Sequence, residues 1–467
     1  MTNTNTNTIT TYNPSTGAAL QTYEGWGAEQ IEHAVDAGHA AAAAWGKQPL
    51  EVRVAAVRRL AEELRRQSKS FAELITAEMG KVGAEAAGEM EKSAVTALYY
   101  ADNAERILAD EKVNIDGVDA WVSYEPIGLV LAVMPWNFPV WQVMRFAIPA
   151  ITAGNGVFLK HSPNVTGCAL ALERLFLDAG VPKNVVTTLV VAEPQVPRVI
   201  DGLIQDDRIA AVTLTGSNRA GAAVGAAAGR ASKKSVLELG GSDAFIVLDD
   251  ADLTAAVAAA VKARFHNAGQ SCVCAKRFIV SEGIAKAFAE RFVEATKNLV
   301  VGDPTHSATQ MGPLARPDLR DALDRQVQQS LEAGAVLLAG GKAVEGPGNF
   351  YEATVLGNLQ PGMAAFDEET FGPLAAIAVA KDDADAVRLA NATPFGLSVS
   401  VWAGSNKRAL AVAKQITSGA AFINAITASD ARIPFGGTKK SGYGRELAAA
   451  GIREFTNART YWAVAPK

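Results

Sequence analysis

The sequence predicts an α/β fold of two lobes, and three observations carry that expectation. Residues from about 27 to 108 are rich in Ala, Glu, Lys and Arg with apolar residues at helical spacing. Two series of short apolar runs then alternate with helical patterns, one from Gly128 and one from Ser242. Between the helices and the first series, Asp116-Gly117 interrupts an alternating segment that reads as a two-stranded hairpin, either a projecting arm or a sheet edge. At 467 residues the chain is too long for one core, and 49% apolar with 20% charged residues is ordinary globular composition. A net charge of −5 gives no reason to expect nucleic acid as a partner.

The leader, MTNTNTNTITTYNP, is polar and repetitive and reads as a loose tail. It shows neither the basic region nor the apolar core of a secretory signal, no stretch suits a membrane span, and three cysteines fit a reducing compartment. A soluble cytoplasmic protein is expected. Helices are predicted over 52–67 and 71–79, and the hairpin over 113–124. Strands follow at 129–134, 157–160, 185–190, 210–215 and 236–239, with helices between them, which implies right-handed βαβ units and a mainly parallel sheet. Ligands of such sheets sit beyond the carboxyl ends of the strands, where Pro135-Trp136-Asn137, Lys160-His161-Ser162 and Thr215-Gly216-Ser217 fall. The second series has a strand at 244–248, a helix at 254–266, a strand at 276–280 and a helix at 284–299, and continues to 420–424. A catalytic cleft is expected between the lobes. The tail, 453–464, is again strand-like.

Chemistry concentrates in Phe265-His266-Asn267-Ala268-Gly269-Gln270-Ser271-Cys272-Val273-Cys274, where a turn joins helix to strand and a thiolate can act as nucleophile. Thr215-Gly216-Ser217-Asn218-Arg219-Ala220-Gly221 closes a strand and opens a helix. Its small residues let backbone approach a pyrophosphate at a helix N-terminus, although a tight turn alone explains them equally. Lys160 suits a ribose or phosphate, or simply the surface. Glu238, before Gly240 and Gly241, can orient or deprotonate water, or be an exposed acid at a strand end. Asn137, between Pro135 and Pro139, offers an amide to a developing oxyanion, or shapes a turn.

Taken in order with Glu369-Thr370-Phe371-Gly372-Pro373, Pro434-Phe435-Gly436-Gly437 and Lys440-Ser441-Gly442, these motifs resemble the NAD(P)-dependent aldehyde dehydrogenase superfamily over essentially the whole chain. The resemblance implies two Rossmann-like doubly wound lobes with a small β oligomerisation arm. Residues 1–112 and 127–239 correspond to an NAD(P)-binding domain and 240–440 to a catalytic domain. Residues 113–126 and 453–467 correspond to segments that bridge subunits of a homodimer or homotetramer. It makes Cys272 the nucleophile, places the oxyanion between the Asn137 side chain and the Cys272 N–H, and gives Glu238 the hydrolytic water. Lys160 and Ser162 match residues near the adenosine ribose, and Gly216, Ser217 and Gly221 match the pyrophosphate turn. Glu369 matches a ligand of the nicotinamide ribose, Phe371 packs by the nicotinamide, and Pro135, Trp136 and Leu239 complete the cofactor set.

Within the superfamily, Leu159-Lys160-His161-Ser162-Pro163-Asn164 and Glu238-Leu239-Gly240-Gly241-Ser242-Asp243 are similar to a bacterial succinate-semialdehyde dehydrogenase branch. Arg145 and Ser429 match residues that bind the distal carboxylate of such a substrate, and a guanidinium fork suits that task. His266 stands where some members carry a second arginine, and Arg264 and Arg432 are candidate substitutes. Pro163 replaces the glutamate of NAD-preferring members, so NADP is expected to be accepted, alongside NAD. Cys272 and Cys274 point the same way in extended chain with Cα atoms about 6–7 Å apart, which allows a regulatory disulfide, although a small core residue at 274 is as good a reading. Other aldehydes such as glutaric semialdehyde, acyl transfer to coenzyme A (against which Glu238 speaks), and a cysteine hydrolase built on Cys272 and His266 are the alternatives.

Overall fold

The computed structural model describes residues 7–465. The first six residues of the leader lie outside the described residues, but the rest of it is not a loose tail. Thr8–Tyr12 is a strand paired antiparallel with Ala19–Glu24. Its alternation turns Ile9 and Thr11 inward, and Ile9 packs with Val190 and Ala192. Four helices follow, Ala28–Gly46, Leu50–Arg66, Ser68–Met79 and Gly83–Leu108. Leu50–Arg66 buries Val57, Leu60, Ala61 and Leu64, the three- and four-residue stripe that its sequence predicts.

Two sheets form the lobes. The first runs Gly442–Tyr443, Lys234–Glu238, Ile209–Thr215, Leu129–Met134, Gly156–His161, Val186–Thr188, parallel except for its first strand. The second runs Val336–Ala339, Thr354–Gly357, Leu374–Ala380, Ala275–Ser281, Asp243–Val247, Ser398–Trp402, Ala420–Ile423, parallel except for Val336–Ala339. In the first sheet the chain starts at the central strand, Leu129–Met134, winds outward on one side, then crosses to the other at Ile209–Thr215. The reversal opens a crevice at the carboxyl ends of these two strands, where doubly wound sheets bind ligands.

Cys272 lies three residues before Ala275–Ser281, and Phe371 three residues before Leu374–Ala380. The carboxyl edge of the first sheet therefore faces the amino edge of the second. The short strand Gly442–Tyr443 returns from the second lobe to pair with Lys234–Glu238, Gly442 opposite Glu238. The hairpin Glu111–Ile115 and Val118–Pro126 turns at Gly117, whose φ of +75° suits glycine, and is extended to three strands by Thr456–Ala463. No helix among the described residues is long and apolar enough to cross a membrane.

Candidate active site

The turn before Cys272 is held in an unfavourable backbone. Asn267, Ala268 and Gly269 take φ of 53°, 51° and 73°, a left-handed run that costs an alanine about 1 kcal/mol. Its neighbours enforce it. Asn267 Nδ2 donates to the carbonyls of Asn137 (2.9 Å) and Gln270 (3.1 Å), and Glu85 accepts from the Asn267 N–H. Gln270 Nε2 donates to the Asn267 carbonyl, and its Oε1 accepts from the Ala315 N–H. A side chain at Gly269 would strike the Gly372 carbonyl. Downstream, Lys276 Nζ donates to the carbonyls of Ser271 (3.1 Å) and Cys272 (2.8 Å) and lies 3.4 Å from Glu369. The Cys272 N–H has no hydrogen-bond partner among the described residues and remains available.

Asn137 is positioned from the other lobe. Glu89 accepts from the N–H groups of Val140 and Trp141, fixing the start of Trp141–Ala153, and pairs with the buried Lys81 at 2.5 Å. His161 takes the Ser162 N–H at Nδ1 and, as the Nε2–H tautomer, donates to the Pro139 carbonyl at 2.8 Å. Burial pushes His161 down to about 4, so it stays neutral in that role. The Asn137 amide gives one N–H to the Gln270 carbonyl at 3.1 Å, and its second can face a reacting oxygen.

Cys272 is half-buried and desolvation pushes its thiol up to about 12, against the pull of Arg145 and Lys276. Glu238 is buried, with neither carboxylate oxygen hydrogen-bonded. Burial first, and Glu446 second, push it well above the usual carboxylate range, so in this arrangement it holds a proton. Cys274 is a buried free thiol facing the His266 carbonyl at 3.9 Å, and burial raises it too.

Cys272 lies on the wall between two cavities. The larger, about 470 Å³, holds Cys272, Asn137 and Glu238 together with Pro135, Trp136 and Leu239. Lys160, Ser162, Gly216, Ser217, Glu369 and Phe371 line the same space. It suits a dinucleotide. Gly216 leaves room for a close approach, since a Cβ placed there would meet only Leu214 within 4 Å, and Ser217 caps the following helix by accepting from the Ala220 N–H. Lys160 has no ion-pair partner among the described residues, and burial lowers it to about 8, as for a cation awaiting an anionic group. Phe371 meets Trp136 edge to face at 5.7 Å. Glu369 accepts from the Gly241 N–H at 3.0 Å, one oxygen lying near Gly240.

Gly221 departs from the expectation. It does not line the cleft; it lies inside the helix Asn218–Arg230, where a side chain would strike Leu239. Its smallness serves helix-to-strand packing.

The second cavity, about 210 Å³, brings Arg145 and Ser429 to Cys272 as expected, and adds Lys92, Trp141 and His266. Arg145 is already engaged: it forms an ion pair with Glu446, donates to Thr215 Oγ1 at 3.3 Å and stacks 4.6 Å from the Phe435 ring centre. The candidate substitutes for a second arginine fail. Arg264 is buried and gives its terminal N–H groups to the carbonyls of Ala275, Gly269, Thr370 and Gly372, while Arg432 pairs with Asp430 at the surface. His266 is stacked on Phe138, pushed down to about 4 by burial and nearby lysines, and makes no hydrogen bond to Cys272 among the described residues, which leaves a Cys-His hydrolase without its activating contact. Lys92 and Lys276 join the site without any signal in the sequence. Lys92 sits in a locally ordinary charged stretch and Lys276 near the start of an apolar strand, and only the fold brings them to the site.

Comparison with known proteins agrees with this geometry. Residues 1–461 match the model of the aldehyde dehydrogenase family. The chain is 49% identical over 450 residues to succinate semialdehyde dehydrogenase [NAD(P)+] Sad of Escherichia coli K12, covering 96% of each chain. It is 44% identical over 458 residues to succinate-semialdehyde dehydrogenase [NADP(+)] 1 of Mycobacterium ulcerans, covering 97% of this chain and 99% of that one. The crystal structure of succinic semialdehyde dehydrogenase from Streptococcus pyogenes in complex with NADP+ superposes with a TM-score of 0.94 at 35% identity, over 98% of this chain and 100% of that one. On fold, site and sequence alike, the chain belongs to the aldehyde dehydrogenase family.

Proposed function

We propose that this enzyme oxidises succinic semialdehyde to succinate with NADP or NAD. The observation that carries the reading is the position of Cys272 between a glycine-lined dinucleotide cleft and a small cavity lined by cationic side chains. The similar proteins named above support the same substrate and cofactors. Residues 1–112 and 127–239 serve the cofactor, and 240–440 the chemistry.

The Cys272 thiolate adds to the aldehyde carbonyl, and the oxygen that becomes anionic is met by the free Cys272 N–H and the second N–H of Asn137. The raised thiol pKa means that Cys272 reacts through a minor thiolate population, which Arg145 and Lys276 favour. Bound NAD(P) supplies the two-electron acceptor that converts the adduct to a thioester. Glu238 must then lose its proton and turn its carboxylate toward the cleft, where it takes a proton from the water that hydrolyses the thioester. Lys160 and Ser162 hold the adenosine end, with Pro163 leaving space for a 2′-phosphate, and Glu369 the nicotinamide ribose. Leu239 and Gly216 shape the wall between them.

The arm of 113–126 and 453–467 joins subunits of a cytoplasmic homodimer or homotetramer. Val113, Ile115, Trp462 and Val464 are exposed along it, an apolar strip that a second subunit would cover. Absorbance at 340 nm with succinic semialdehyde, glutaric semialdehyde and butanal, each with NADP or NAD and with or without coenzyme A, tests the proposal. Succinic semialdehyde is expected to react fastest and independently of coenzyme A. Absence of reduced cofactor with every aldehyde would refute it.

A further inference from the structure

Lys92 belongs to the helix Gly83–Leu108, remote in sequence from every motif of the site, yet it lines the cavity that contains Cys272. Its Nζ donates to Ser429 Oγ at 2.6 Å and lies 4.4 Å from the centre of the Trp141 ring. Of the acids whose charges it senses, Glu89 is engaged with Lys81 and Asp430 with Arg432, and the third is the Cys272 thiol, which burial keeps largely protonated. Among the described residues it has no ion-pair partner. Arg145 in the same cavity has one, Glu446, and His266 is neutral. Lys262 also lines the cavity but is exposed.

A half-buried cation without a counter-charge is poorly compensated until an anion completes it. Burial, reinforced by Arg145, lowers Lys92 to about 8, as that shortage of negative charge requires. The Trp141 face shields one side of the ammonium. Because Lys92 donates to Ser429, the serine keeps its own hydroxyl proton for another acceptor. An ammonium N–H and a hydroxyl are thus presented side by side, a pair suited to the two oxygens of one carboxylate.

We propose that Lys92 is a specificity-determining residue that binds the distal carboxylate of the substrate together with Ser429, supplying the second cation that His266 cannot. The inference rests on the reading of a carboxylated aldehyde as substrate. It makes Arg145 chiefly the partner of Glu446 and the wall of the cavity.

The test compares kcat/KM for succinic semialdehyde and for butanal, at saturating NADP, in the wild type and in Lys92→Met and Lys92→Arg. The ratio of the two values is expected to fall about thirtyfold or more in K92M, through KM for the acid, and to stay within about fivefold in K92R. Competitive inhibition by succinate should weaken in parallel. If both substrates decline together in K92M, so that the ratio holds, Lys92 merely supports the Ser429 segment and the inference is wrong. A wild type that prefers butanal overturns the substrate reading, and this inference with it, before any variant is needed. Should K92M not fold, Lys92→Gln is read by the same ratio, with the same results supporting or refuting.

Discussion

Replacing Lys276 by methionine keeps the length of the side chain and removes its charge, and the structure says where the loss is felt. The Ser271 carbonyl retains the Cys274 N–H, and Glu369 retains the Gly241 N–H. The Cys272 carbonyl has no replacement for the 2.8 Å bond from Lys276 among the described residues. One charge-assisted hydrogen bond contributes about 1.5–3 kcal/mol. That anchor fixes the peptide whose neighbouring N–H is proposed to receive the oxyanion. If its loss passes wholly into the barrier, kcat falls by roughly tenfold to a hundredfold. A second effect has a defined sign. Lys276 favours the Cys272 thiolate, so K276M raises the thiol further and slows alkylation by iodoacetamide at any pH below that of full ionisation. Steady-state production of reduced cofactor and the alkylation rate, both on protein with wild-type circular dichroism, decide the matter. A folded K276M with unchanged kcat and unchanged alkylation would refute the reasoning.

Glu238→Gln should still release one equivalent of reduced cofactor per subunit in a burst, while steady turnover drops about a hundredfold to ten-thousandfold; a slowed burst with no accumulated thioester would assign Glu238 elsewhere. Cys274→Ala is expected to lose the recovery by dithiothreitol that follows peroxide inactivation, in which two thiols become one disulfide and peroxide becomes water; unaltered inactivation and recovery would show that Cys274 has no redox part. Pro163→Glu should place a carboxylate near Lys160 and turn the preference from NADP toward NAD, measured as the ratio of kcat/KM values. Wild-type kinetics favouring NAD by more than about a hundredfold would remove the basis for that prediction.

Local pattern makes the parallel strands readable. Leu129–Met134 is a continuous apolar run, as a strand buried on both faces must be, and Pro135 marks its end. The left-handed turn before Cys272 is visible only as a Gly-Gln-Ser-Cys motif, because its conformation depends on Asn137, Ala315 and Glu85 from elsewhere in the chain. Thr8–Tyr12 does not read as a strand, since Thr/Asn alternation looks polar until Val190 and Ala192 arrive to cover Ile9. Arg145 is found by its spacing to a motif, but its partner Glu446 lies in the C-terminal segment and carries no signal of its own. Lys92 and Lys276 are the sharper cases. A lysine on a helix or strand reads as solvated, and no periodicity announces that Lys276 will be buried against the Cys272 carbonyl or that Lys92 will line the cavity beside Ser429.

The return of Gly442–Tyr443 to the first sheet also sets the order in which this enzyme can come into being. The strand Lys234–Glu238 is synthesised with one edge bare, and 201 residues separate Gly240 from the Ser441 hydroxyl that holds its carbonyl. Glu446, the counter-charge of Arg145, arrives in the same late stretch. A nascent or prematurely terminated chain therefore carries both lobes and the Cys272 turn, yet leaves an open strand edge and an unmatched buried guanidinium beside it. Open edges recruit other chains. Completion of the reaction centre consequently waits for Gly442–Tyr443 and Glu446, and chains cut short before them should be substrates for chaperones and proteases rather than weakly active enzymes.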